Sequence, residues 1–133
     1  MLTKTNEKST GNSLFINTAD EQTRVVIFSD GKAIAEKSWN GRFELSDRLL
    51  IEINQLVKKN TIEIDSIRVF PGPGSYTGLR IGVTVANFLA WSYRVPIFPA
   101  DDSGNITSKQ KDFILPIYLN DAQITKSRSK IKI

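Results

Sequence analysis

Cysteine and histidine are both missing from this 133-residue chain. Without cysteine there are no disulfides, no thiolate nucleophile and no zinc–sulfur site. Without histidine there is no imidazole base, no Ser–His–Asp triad and no histidine-ligated metal. No apolar run approaches the length that a bilayer requires, so no transmembrane helix is expected. The opening MLTKTNEKSTGNS is polar and lacks the apolar core of a signal peptide, which makes a cytoplasmic location the expectation. Carboxylates, lysines, hydroxyls and backbone amides are all that remain for catalysis, and no catalytic residue, cofactor or metal is expected.

What is present fits one ordinary domain: 40% hydrophobic and 24% charged residues, in a length that can bury a core. The net charge of +4 resides in the C-terminus, where Lys126, Arg128, Lys130 and Lys132 stand among residues with no acid. The rest of the chain is neutral. A basic tail of this kind is either a solvated end or a strand of cations that touches phosphates of an RNA.

The pattern along the chain is α/β. Leu14–Ile16, Thr23–Ser29 and Lys32–Trp39 read as strands, with Asp30-Gly31 as a two-residue hairpin turn between the last two. Leu45, Leu49, Ile53 and Leu56 recur at helical spacing over roughly 44–60, with Glu44 and Asp47 near the positive end of the helix and Lys58 and Lys59 near the negative end. Ser66–Phe70 and Val95–Phe98 read as further strands around a second helix that runs to about Tyr93. This order implies an antiparallel meander followed by parallel crossovers. Asp101–Asp112 is a polar linker without periodicity, and Phe113–Leu119 (FILPIYL) is apolar enough to dock on the body.

The informative stretch is FPGPGSYTGLRIGVTVANFLAW, from Phe70 to Trp91. A glycine-rich turn before a helix can cradle a phosphate with backbone N–H groups, here Gly74, Ser75, Thr77 and Gly78. The pattern departs from the known cradles. Leu79-Arg80 follows Gly78 where a Walker loop needs Lys and Ser or Thr, and the glycines are spaced GxGxxxG. Pro71 and Pro73 also remove two donors. The other reading is structural, with glycines permitting a tight turn and Ser75 or Thr77 capping the helix. Gly78, Gly82, Ala86 and Ala90 form a row of small side chains. Ile81, Val85, Leu89 and Tyr93 form an apolar row beside it. Leu79, Val83 and Trp91 form a third row, interrupted by Asn87, and only the row of Arg80, Thr84, Phe88 and Ser92 is largely polar. A helix apolar around most of its girth is covered on more than one side. In so short a chain the expected cover is a partner, meeting Leu79, Gly82, Val83 and Ala86, with Leu45, Leu49 and Ile53 of the first helix as a second surface.

The stretch GPGSYTGLRIGVTVANFLA resembles the signature of the TsaB (YeaZ) family of tRNA threonylcarbamoyladenosine biosynthesis subunits. LFINTADEQTRVVIFSDGKAIAEK, SDRLLIEINQLVKKNTIEIDSIRVF and LPIYLNDAQITK resemble the segments around it and the family's C-terminus. The resemblance implies a ribonuclease-H-like lobe of the actin-like ATPase superfamily. It also implies a non-catalytic scaffold that pairs with a TsaD-type subunit through its two helices, in a complex joined by a TsaE-type ATPase. Contact with tRNA would be indirect or through the basic tail, and self-association is the alternative state when the partner is absent. Three features depart from the family. Asn17 stands where an acid would help hold magnesium, Asn87 replaces a frequent lysine, and Asp101–Asp112 takes the place of a whole second lobe. The expected organisation is a polar leader over 1–12, the lobe over 13–104, a linker with a docked segment over 105–125, and the basic tail over 126–133. A nucleotide-binding phosphotransfer enzyme built on the Gly72–Gly78 loop is the competing reading. Asp101 and Asp102 are read as turn formers rather than metal ligands, and Trp39 and Trp91 as packing or interface aromatics.

Overall fold

The computed structural model describes residues 11–41 and 45–118. The readings made for most of the leader, for Glu44, for Leu119 and for the basic tail therefore lie outside the described residues. Strand β1 spans Asn12–Asn17, β2 Gln22–Ser29 and β3 Lys32–Asn40. Helix α1 (Leu45–Asn60), β4 (Ser66–Val69), α2 (Tyr76–Tyr93) and β5 (Ile97–Pro99) follow. The strands form one mixed sheet in the order β3-β2-β1-β4-β5. β1, β2 and β3 are antiparallel neighbours, whereas β4 runs parallel to both β1 and β5. This is a single ribonuclease-H-like lobe with an antiparallel meander followed by parallel crossovers. Its first strand begins at Asn12, earlier than the apolar run alone suggests, because Asn12 still pairs with Ser29.

Period-2 alternation divides the sheet's side chains between two faces. Leu14, Ile16, Val25, Ile27, Ile67, Val69 and Ile97 join Leu49, Ile53, Val83, Ala86 and Leu89 of the helices in the main core. Phe15 and Val26 point the other way and form a smaller cluster with Ala100, Phe28 and Phe70. Turn chemistry sets the register of the meander: Asp30 and Gly31 both take positive φ, 51° and 83°, as a two-residue hairpin turn between right-twisted strands requires.

Lys37 on β3 and Arg48 on α1 both hold Glu52 of α1, at 3.2 and 2.7 Å, which ties the helix to the outer strand. The Arg48 hydrogen bond, helped by Lys37, pulls the Glu52 carboxyl below the usual glutamate range despite the opposing cost of burial. A depressed carboxylate stabilises the fold above its unfolded pKa, about 4.3, and this contribution is lost as pH falls through the lower folded value. Thermal melts of the wild-type chain and of Glu52→Gln are therefore expected to differ at pH 7 and to converge progressively as the pH is lowered past the unfolded value of about 4.3. A gap between them that persists unchanged at low pH would contradict this role.

The segment after β5 is more structured than its composition suggests. Ala100 bridges Ile106, and Ile97 bridges Lys111 antiparallel, so this segment covers the open edge of β5. Asp101 Oδ1 accepts from the backbone N–H groups of Ser103 and Asn105, and Asp101 Oδ2 accepts from Asn105 Nδ2. Those donors, the Asn105 N–H foremost, hold the Asp101 carboxyl below its usual range. The aspartate makes a turn, as read from the sequence.

Beyond it, Asn87 on α2 secures the C-terminal segment. Its Nδ2 donates to the carbonyls of Val83 and Ile114, and its Oδ1 accepts the Ile114 N–H at 2.9 Å. Ile114 is buried, but Phe113, Leu115 and Ile117 alternate outward and stay exposed. Around Ile114 the segment thus docks through one apolar side chain and a backbone clamp rather than through its whole apolar run. Removing that clamp leaves part-buried backbone groups unpaired at about 1–3 kcal/mol. Asn87→Leu is expected to lower stability by that amount and to expose residues 108–118 to protease, and a cleavage rate equal to wild type would count against the clamp.

Candidate functional site

The glycine loop is enclosed by the chain itself. Helix α2 starts at Tyr76, with Ser75 as its N-cap accepting the Gly78 N–H on Oγ. The turn after β1 lies directly on the first half of the helix. Thr18 Oγ1 donates to the Gly78 carbonyl at 2.6 Å, and the Ser75 N–H donates to the Ala19 carbonyl at 3.0 Å. A Cβ at Gly74 would strike Ala19, one at Gly78 the Thr18 carbonyl, and one at Gly82 the Thr18 side chain. Glycines four apart therefore make a groove in which Thr18 and Ala19 sit. On the loop's other side the Ile117 N–H donates to the Pro71 carbonyl at 2.7 Å, and the Tyr118 and Tyr76 rings meet with centroids 4.6 Å apart.

This geometry revises the expected contact residues. Leu45, Leu49, Ile53, Leu79, Gly82, Val83 and Ala86 are all buried in the chain's own core and present no surface to a partner. The small row that looked suited to a second helix is occupied by Thr18 and by the sheet. The apolar girth of α2 is covered by the sheet, by α1 and by Ile114, which are enough even in a short chain. The side of α2 that remains open carries Tyr76, Arg80, Thr84, Phe88 and Trp91. Phe88 and Trp91 pack against each other at 6.2 Å, and Trp91 is 76% exposed. Trp91 and Phe113 line one groove of about 390 Å³ together with Asn87 and Pro96. Leu50 and Ile51 add exposed apolar side chains on α1. The two tryptophans part company: Trp39 is a core residue beneath Arg48, and Trp91 is a surface one.

A cleft of about 350 Å³ does open at the N-terminus of α2, where Thr18, Asp20, Glu21, Ser75, Thr77 and Gly78 line it. Of the four residues considered as an anion cradle, Ser75, Thr77 and Gly78 border this cleft and Gly74 does not. The N–H groups of Ser75 and Gly78 are already engaged within the chain. The cleft's charged lining is acidic, Asp20 and Glu21, which opposes a phosphate. Asn17 fills a structural role: its Oδ1 accepts the Ala19 N–H and its Nδ2 donates to the Asp102 carbonyl. Among the described residues no cluster of three or more carboxylates suits a metal ion, and no helix is long and apolar enough to cross a membrane.

A family model described as "TsaD: tRNA N6-adenosine threonylcarbamoyltransferase" matches residues 44–102, which run from α1 through β5. The chain is 31% identical over 111 residues to the tRNA threonylcarbamoyladenosine biosynthesis protein TsaB of Bacillus subtilis, covering 79% of this chain and 48% of that protein. It is 30% identical over 92 residues to the Escherichia coli protein of the same name, covering 63% of this chain and 37% of that one. A solved structure, YeaZ from Pseudomonas aeruginosa, superposes with a TM-score of 0.63 at 25% identity, over 69% of this chain and 44% of the other. The chain belongs to the TsaB (YeaZ) family. It spans about half or less of the curated TsaB proteins it matches, 48% and 37% of their lengths. The residues that sequence reasoning missed in this TsaB-family chain are Phe88, Phe113 and Leu115. Phe88 stood in the helix row read as largely polar, and the two others in a run read as wholly docked.

Proposed function

We propose that the chain is a non-catalytic partner subunit in tRNA threonylcarbamoyladenosine formation, docking a TsaD-type subunit through the open side of α2. The observation that carries this reading is the exposed Phe88–Trp91 pair continued by Phe113, on the helix that bears the family signature. Interfaces concentrate their energy in such aromatic anchors, and exposed aromatics grouped in this way mark an interaction surface. The names of the TsaB relatives supply the pathway. The match of residues 44–102 to a TsaD model supports a pairing of two related lobes. A TsaE-type ATPase joins the larger assembly, and the cations from Lys126 onward are the segment available for tRNA phosphates. The setting is cytoplasmic, where tRNA is modified.

The test is reconstitution. Purified chain, TsaD-type subunit, TsaE-type ATPase, tRNA and an activated threonylcarbamoyl donor are combined, and each protein is omitted in turn. Product formation is expected to require the chain, while the chain with donor and tRNA alone yields none. Full product in its absence, or turnover by the chain alone, would refute the proposal. A nucleotide titration of the isolated chain separates it from the phosphotransfer reading, which requires saturable binding at the Gly72–Gly78 loop.

A further inference from the structure

The sheet face away from the helices holds a positive charge without a counter-charge. Arg68 leaves the middle of β4 on that face and is only 6% exposed. Its Cζ lies 4.9 Å from the Phe28 ring centroid, and its Nη1 donates to the Gly104 carbonyl at 2.8 Å. Among the described residues no carboxylate pairs with it. Its buried Nε also has no acceptor there. A guanidinium has five N–H donors in a planar fork, and among the described residues only one of them meets an acceptor. Glu36, in the same row of the sheet but three strands away on β3, is paired with Arg24 at 2.9 Å, and Asp101 is held in its own turn. Buried cations are ordinarily paired, because loss of hydration is otherwise uncompensated.

Arg68 also lines a cavity of about 560 Å³, together with Asn105, Thr107, Ser108 and Lys109. The cavity exists because the turn after β5 folds back over the sheet. Gly104, at φ 100°, lies flat on the Phe28 ring, where any Cβ would overlap that ring. The lining thus combines a fixed guanidinium fork, a second cation and the Ser108 hydroxyl, without a carboxylate, while the Thr107 hydroxyl donates to the Pro99 carbonyl. Planar guanidinium groups hold carboxylates and phosphates through paired hydrogen bonds.

We propose that this pocket is an oxyanion site in which Arg68 grips a carboxylate or phosphate group, with Lys109 and the Ser108 hydroxyl beside it. The site lies on the opposite side of the sheet from α2 and does not depend on the partner reading. The test follows the arginine Nε–H signals of the isotope-labelled full chain by NMR, and Arg68→Met identifies the one that belongs to Arg68. Inorganic phosphate and acetate are titrated separately against chloride at constant ionic strength. A saturable shift of the Arg68 signal is expected. Response to phosphate alone, acetate alone or both identifies the group accepted. Lys109→Ala, at an exposed position, should weaken the response about two- to fivefold. It also serves as the comparison if Arg68→Met fails to fold. An Arg68 signal that moves with neither anion, or that titrates identically in Lys109→Ala, overturns the proposal.

Discussion

Replacing Gly78 by alanine is expected to destabilise the chain strongly, although alanine is the better helix former. Gly78 is buried in the first turn of α2, and its missing Cβ is the space occupied by the Thr18 carbonyl. That neighbour is backbone, pinned by the strand before it and by the Thr18 hydroxyl bond to the Gly78 carbonyl. It has no rotamer by which to retreat. Overpacking a fitted contact costs about 1–3 kcal/mol, and more where main chain must move. Losing the Thr18–Gly78 hydrogen bond adds about 1 kcal/mol. Set against a total stability of about 5–15 kcal/mol, this is enough to lower the melting temperature by well over ten degrees. Gly82→Leu should be at least as damaging, because it must displace the Thr18 side chain. Circular dichroism melts settle it, and a Gly78→Ala chain that melts with wild type would show that the groove for Thr18 is not tight. An exposed substitution on the same helix, Thr84→Ala, is the control and should change stability by less than about 0.5 kcal/mol.

The same glycines show where sequence reasoning stops. Hairpin, strands and both helices were legible because each has a local cause: Asp30-Gly31 for the turn, alternation in β1 and β2, and the Leu45–Leu49–Ile53 spacing in α1. The sequence offered Ser75 or Thr77 as the cap, and the structure uses Ser75. The orientation of α2 was not. Small or apolar residues occupy most of its girth, so periodicity cannot say which row meets the sheet. That choice is made by a non-local contact, the seat of Thr18 and Ala19 between Gly74, Gly78 and Gly82. It turns the small row inward and leaves the row of Phe88 as the open side. The stretch after β5 failed for a related reason. Its polar composition reads as linker, yet Gly104 on Phe28, the Arg68 bond to the Gly104 carbonyl and the Asp101 turn fix it to the sheet. Phe113–Leu115 illustrates the opposite error. Mean apolarity predicted docking of the whole run, whereas an extended backbone sends only Ile114 inward.

The second large effect is expected at Trp91, and on association rather than on folding. Trp91 is 76% exposed, so Trp91→Asp removes little from the core. Its ring contact with Phe88 is the main intramolecular loss. A buried tryptophan anchor in an interface is commonly worth 2 kcal/mol or more, and a carboxylate put in its place is desolvated without a partner. About 2.7 kcal/mol corresponds to a hundredfold weaker complex. Phe88→Asp should act in the same direction, and the double change should exceed either alone.

The most direct measurement is a calorimetric titration of a TsaD-type subunit with the wild-type chain and with Trp91→Asp, each shown by circular dichroism to be folded. The account predicts saturable binding of the wild-type chain and at least a hundredfold loss in the variant. Equal affinity of a folded Trp91→Asp chain, or no binding by the wild-type chain at all, would contradict it.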